Sequence, residues 1–169
     1  MTDLILKALK DLLEEQIKGD SKKNIAPLLA EKQGHEVLQP LKVYENFIPS
    51  KDNDEVAYPC LVVRWVEAEE VDGFAVEVFD VLVCTYSESG RSISEEWGNV
   101  IAGRVRSILR QTTRLYKLPG ANAWKFTRIG KIQAINPKLN LDERHFTHHH
   151  LTIRSSWQYP LPDITSMEG

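Results

Sequence analysis

The stretch CLVVRWVEAEEVDGFAVEVFDVLVCTY, residues 60–86, decides the fold class. At its middle, Asp72-Gly73 is a hairpin-turn signal, because both residue types tolerate the positive φ that a tight two-residue turn demands. The flanking runs are rich in β-branched and aromatic residues, so 60–68 and 74–86 are expected to be neighbouring antiparallel strands. The first run is apolar on both faces for most of its length, which suggests a central place in a sheet. In the second, Phe74, Val76 and Val78 share one parity, whereas Phe79, Val81 and Val83 share the other. Strict alternation puts these two sets on opposite faces. A bulge or bend near Val78–Phe79, or burial on both sides, is therefore expected.

Working outward, Thr2 can cap a helix to about Lys18, with Ile5, Ala8, Leu9, Leu12 and Leu13 as its apolar stripe. Lys10–Glu14 and Glu14–Lys18 are surface pairs at helical spacing. Residues 20–36 are polar and mixed, and AEKQG suggests the close of a short second helix. LKVYENFIP (41–49) reads as a strand ending at Pro49, and SKDNDEVA (50–57) as a charged loop. Ser92 and Glu95 have capping-box spacing before a helix to about Gln111, whose stripe is Trp97, Val100, Ile101, Val105, Ile108 and Leu109. KLPGAN is a turn. WKFTRIGKIQAI (124–135) and HHHLTIRSSWQYPL (148–161) read as two further strands. The chain is thus expected to be α+β: a mostly antiparallel sheet of four to five strands with two main helices packed on one face. Residues 1–162 are expected to form a single domain and 163–169 a flexible tail. The four tryptophans fall one per core element, so packing accounts for them.

Composition narrows the function. The chain has 169 residues, 42% of them apolar, a formal charge of −3 and a pI near 6.0, which argues against a general affinity for nucleic acid or anionic membrane. Cys60 and Cys84 sit in apolar runs and read as buried free thiols. The first 19 residues carry acidic groups and lack a signal peptide's apolar block, and no window suits a membrane span; a cytoplasmic folding environment is expected.

HFTHHH (145–150) holds four of the five histidines. On a strand, His148 and His150 share a face with Thr152 and Arg154, while His149 joins Leu151, Ile153 and Trp157. Two histidines at i and i+2 can share a zinc ion, but a catalytic centre needs a third ligand and an open position. Nothing in the spacing of Asp142, Glu143 or His145 compels convergence. A polar strand face is the preferred reading; no metal or other cofactor is expected, and His148 and His150 are the candidates if one binds. Phosphate-binding glycine loops and a serine-nucleophile elbow are missing from the sequence, so no catalytic residue is expected. Glu67, Glu69, Glu70 and Asp72 read as solvated charge in a hairpin loop. Arg104, Arg106, Arg110 and Arg114, with Lys117, read as the solvent or subunit side of a helix end.

One pattern is more specific. VLVCTYSESG (81–90) followed by SEEWGNVIAGRVRSILRQ (94–111) resembles a motif of phage tail-terminator and minor tail proteins, the lambda tail-terminator-like group. There a central strand runs into a Tyr-containing acidic loop and then a helix with an arginine-bearing end. Tyr86, Glu88 and Gly90 fill the loop here, and Arg104, Arg106 and Leu109 match the helix end. YPCLVVRWVEAEE (58–70) and TIRSSWQYPLP (152–162) are similar to the same layout. The likeness covers residues 1–162 as an order of elements and 81–111 as a motif. HFTHHH and the insert from Ser50 to Ala57 depart from it, leaving subfamily and tail type open.

The resemblance implies a non-enzymatic structural protein of a phage or prophage tail, made in the bacterial cytoplasm and resident in the virion tail. It implies a hexameric ring that caps the tail tube, stops its polymerisation and forms the head-joining surface. The implied partners are further copies of itself, the tail tube protein and a head-completion protein, with DNA only in passage and no membrane. Oligomer or lumen contacts are then expected among Glu67, Glu69, Glu70, Asp72, Arg104, Arg106, Arg110, His148, His150 and Arg154. Two other readings compete: another head–tail connector or tail-completion component, and a metal-dependent enzyme using His148 and His150.

Overall fold

The computed structural model describes residues 1–18, 28–32, 35–39, 41–47, 59–86, 91–117, 124–136 and 148–161. The elements are α1 (Thr2–Lys18), β1 (Leu28–Lys32), β2 (His35–Gln39), β3 (Lys42–Glu45), β4 (Cys60–Val71), β5 (Phe74–Tyr86), α2 (Arg91–Gln111), β6 (Arg114–Lys117), β7 (Trp124–Ile135) and β8 (His148–Pro160). The class is α+β, as expected. Among the described residues, the expected sheet of four to five antiparallel strands is corrected to six strands in the order β3-β4-β5-β8-β7-β6, and it is mixed, because β3 runs parallel to β4. A parallel neighbour requires a long return, and the fourteen residues 46–59 supply it. At the far end of β3, Asn46 adopts a φ of 67° and its N–H donates to the Val63 carbonyl at 2.8 Å, turning the chain out of the strand after four residues.

A separate antiparallel pair, β1 with β2, occupies sequence in which a short helix was expected. Two residues separate its strands, Gln33-Gly34, and the apolar positions are too few to mark a period. The short strand β6 was also unanticipated; it pairs with β7.

In β5 the odd-numbered side chains Ala75, Phe79, Val81 and Val83 are buried toward the helices. Alternation therefore runs unbroken through β5, and the expected irregularity lies in its partner. Phe79 pairs with Trp65 and Val78 with Glu67, so Val66 is the extra residue of a bulge in β4 directly opposite the anticipated site. β4 is central but buried only from Cys60 to Val63; beyond Arg64 it is largely exposed. Trp65 is 46% exposed, correcting its expected place in the core, whereas Trp157 is fully buried with its indole N–H donating to Ser155 Oγ at 2.9 Å. The side chains of Trp97 and Trp124 lie outside the described set.

Both helices cover this same face. α1 places Ile5, Leu9 and Leu13 one turn apart, all at 0% exposure. Thr2 lies inside the helix rather than capping it. The Met1 carbonyl accepts from the Leu4 and Ile5 amides, and the Thr2 hydroxyl donates instead to Glu77. The Lys10–Glu14 pair forms at 3.9 Å, and Lys10 also lies 4.0 Å from Glu45. α2 buries Ile101, Val105 and Leu109; Val100 is 58% exposed and leaves the expected stripe. α2 packs on β5, β8 and β7, while α1 touches β3 and β4 at one edge and β6 at the other. The sheet therefore curls around the helices, bringing its two short edge strands to a common support. The Ser92–Glu95 box side chains, the 50–57 loop and the 163–169 tail fall outside the described residues.

Candidate functional site

The acidic set is carried by the outer half of the β4–β5 hairpin. Glu67, Glu69 and Glu70 lie on strand β4, not in a loop as expected, because β4 continues to Val71. Only Asp72 is in the turn, where φ values of 49° for Asp72 and 81° for Gly73 are the two positive angles the tight turn requires. All four acidic residues are exposed. The bulge at Val66 sets their faces: Glu67 pairs with Val78 and Glu69 with Val76, so they share the face turned away from the helices with Val71 and Phe74. Val71 and Phe74, at 47% and 42% exposure, make that acidic face partly apolar.

The basic residues divide. Arg106 and Arg110 stand one turn apart on the exposed side of α2, and with Arg128 and Ile132 of β7 they line an open pocket of about 390 Å³. Arg104 lies off this pocket and is half-buried; partial desolvation lowers its pKa. Arg114 is exposed on β6. Sequence reasoning passed over Arg128 as an ordinary strand residue. Its backbone N–H donates to the Thr113 carbonyl at 2.9 Å, and its guanidinium reaches the Thr112 and Arg110 carbonyls at 3.4 and 3.5 Å. It thereby closes the negative end of α2 with a cation. Gly130, at φ 64°, begins the irregular stretch between Ile129 and Gln133 in which β7 bulges away from β8, and Ile132 in that stretch packs against the core. Among the described residues, Arg106 and Arg110 have no ion-pair partner.

Arg154 is held by a partner within its own chain. Its guanidinium forks onto Asp80, Nε to Oδ1 at 2.8 Å and Nη2 to Oδ2 at 3.0 Å, with Arg64 at 3.7 Å from the same carboxylate. Asp80 is 1% exposed, so this pair is structural, and the hydrogen bond to Asp80 raises the Arg154 pKa. Thr152, expected on an open polar face, is buried. The backbones of His148 and His150 lie on β8 opposite Tyr86 and Cys84. Their side chains, and all of Asp142, Glu143 and His145, lie outside the described residues. Among the described residues no cluster of three or more His, Cys, Asp or Glu is placed to hold a metal, and no helix is long and apolar enough to cross a membrane.

Two further groups were missed by sequence reasoning. Glu77 is 1% exposed on the helix face of β5; Oε1 accepts from Thr2 and Oε2 has no hydrogen-bond partner. Tyr159 stands beside it, its phenol pKa raised first by burial and then by its interaction with the Glu77 carboxylate. Cys60 and Cys84 are buried, reduced, and directly paired across β4 and β5, as the free-thiol reading expected. Neither a known protein family nor a curated protein matches this chain.

Proposed function

We propose that this chain is a structural tail protein of a phage or prophage, a tail terminator whose hexameric ring caps the tail tube, halts its polymerisation and presents a surface to the head-completion protein. The observation that carries the reading is the pair of oppositely charged exposed patches on one compact α+β framework. An acidic, partly apolar face lies on the β4–β5 hairpin, and a three-arginine pocket lies across the sheet. A closed ring of identical subunits needs two different complementary faces per chain. The 81–111 pattern adds support, since β5 ends at Tyr86 and α2 opens at Arg91, the strand–loop–helix order of the resemblance. In this role the residues bind and position; the chain carries out no bond-making step, and DNA passes through the ring without being read.

Light scattering across protein concentration, with metal analysis of the same sample and electron microscopy, tests this. Rings of six chains without stoichiometric metal are expected, and added tube protein should give tubes closed at one end. A chain that stays monomeric at every concentration overturns the reading, the more so if it carries one zinc bound through His148 and His150.

A further inference from the structure

The two charged patches cannot satisfy each other within one chain. Arg128 pairs with Trp157, whose side chain lies under the helices, so the arginine pocket opens on the helix side of the sheet. Glu67, Glu69, Val71 and Phe74 lie on the opposite side. Arg106 and Arg110 are like charges at i and i+4, an arrangement that is unfavourable on an isolated helix and becomes favourable only when an anion arrives. The pocket also contains Ile132, an apolar surface that a phosphate or a solvated ion leaves uncovered. The hairpin offers both complements together: carboxylates at Glu67 and Glu69, and the exposed apolar pair Val71 and Phe74 beside them.

We propose that the Arg106–Arg110–Arg128 pocket receives the β4–β5 hairpin of a second copy of this chain, with Glu67 and Glu69 facing the guanidinia and Val71 and Phe74 covering Ile132. The contact is head-to-tail: each chain gives a hairpin to one neighbour and a pocket to the other. It rests on the ring reading and specifies its subunit interface. Guanidinium–carboxylate forks fix the angle between neighbours, and the apolar pair adds area that salt does not screen.

Charge exchange tests the contact. E67K/E69K gives a chain basic at both patches, and R106E/R110E gives one acidic at both. Each variant alone is expected to raise the concentration needed for assembly by about tenfold or more, the effect of losing a charge-paired contact. An equimolar mixture of the two, or one chain carrying all four changes, is expected to recover assembly, because every hairpin again meets an opposite pocket. R106Q/R110Q repeats the loss without reversing charge, and a cooperative thermal melt, recorded for every chain at a concentration below that of assembly, shows that each variant is folded. Rings that form equally well in both reversed variants overturn this interface and leave the ring reading standing. A wild-type chain that never assembles overturns both. If duplex DNA binds the wild type, R106Q/R110Q abolishes that binding and the assembly is unmoved, the pocket is a phosphate site and the interface falls.

Discussion

Glu77 and Asp80 are carboxylates on opposite faces of one strand, each 1% exposed, and their surroundings divide their roles. Asp80 is held by the Arg154 fork, whose guanidinium still touches solvent. Removing Arg154 takes both hydrogen bonds from the buried carboxylate and leaves it only the longer 3.7 Å contact to Arg64, while removing the aspartate frees a cation that water can reach. Arg154→Ala is therefore expected to cost about 2–4 kcal/mol and Asp80→Ala about 1–2 kcal/mol, read from urea midpoints. The reverse order would show that the arginine, not the carboxylate, suffers the desolvation. Ser155→Ala leaves the Trp157 indole N–H unpaired in the core and is expected to cost about 1–3 kcal/mol by the same measurement. Alkaline pH bears on two neutral acids. Cys60 is raised from 9.0, first by its hydrogen bond to Cys84 and then by burial, and Tyr159 is raised from 10.0, first by burial. A raised folded pKa means that the native state holds its proton where the unfolded chain releases it. Stability is thus full below about pH 9 and falls as pH rises beyond that. Tyr159→Phe should flatten the part of this fall above pH 10; a thermal-melt series with unchanged slope would remove Tyr159 as a cause.

Among the elements, those with long apolar runs were legible. β5, β7, β8 and both main helices lie within a residue or two of where periodicity and the Asp72-Gly73 turn put them. The strand expected at 41–49 is present but shortened to Lys42–Glu45, whereas β1, β2 and β6, of four or five residues each, are too short for a period, so their pairing depends on the rest of the sheet. The parallel sense of β3 was unreadable for a different reason: it is set by where the 46–59 connection returns, not by residue pattern. The parity argument in β5 gave Phe74, Val76 and Val78 the weight of a core set, but they face away from the helices, and Glu77 between them faces inward, where Thr2, 75 positions away, donates to it and Tyr159 stands beside it. The acidic and arginine sets were visible as charge, but the Val66 bulge and Arg128 that give them a face and a pocket were not. Gly130 belongs to this scale. Nothing crowds a Cβ there, so Gly130→Ala is expected to cost only the left-handed backbone penalty, about 1–2 kcal/mol in a urea titration. A larger loss would mean that the β7 bulge has other constraints.

For the whole molecule, the central pairing is β5 with β8, which joins residues 74–86 to 148–160. Contacts so distant in sequence slow folding, because the intervening chain must be closed before any of them forms. Refolding is expected in the millisecond-to-second range, and a chain ending at residue 147 is expected to lack cooperative unfolding; a cooperative melt from that truncation would show that the core closes without β8. The curl of the sheet extends this from stability to time. α1 is synthesised before every strand of the sheet, yet it rests on β3 at one edge and β6 at the other, over a core row that waits for β8. At about 5–20 residues per second, the Phe79–Val81–Val83 row waits roughly 4–15 s for its second neighbour. During that interval the nascent chain carries an unpaired apolar strand edge, and its yield in the cell depends on what shields that edge until β8 arrives.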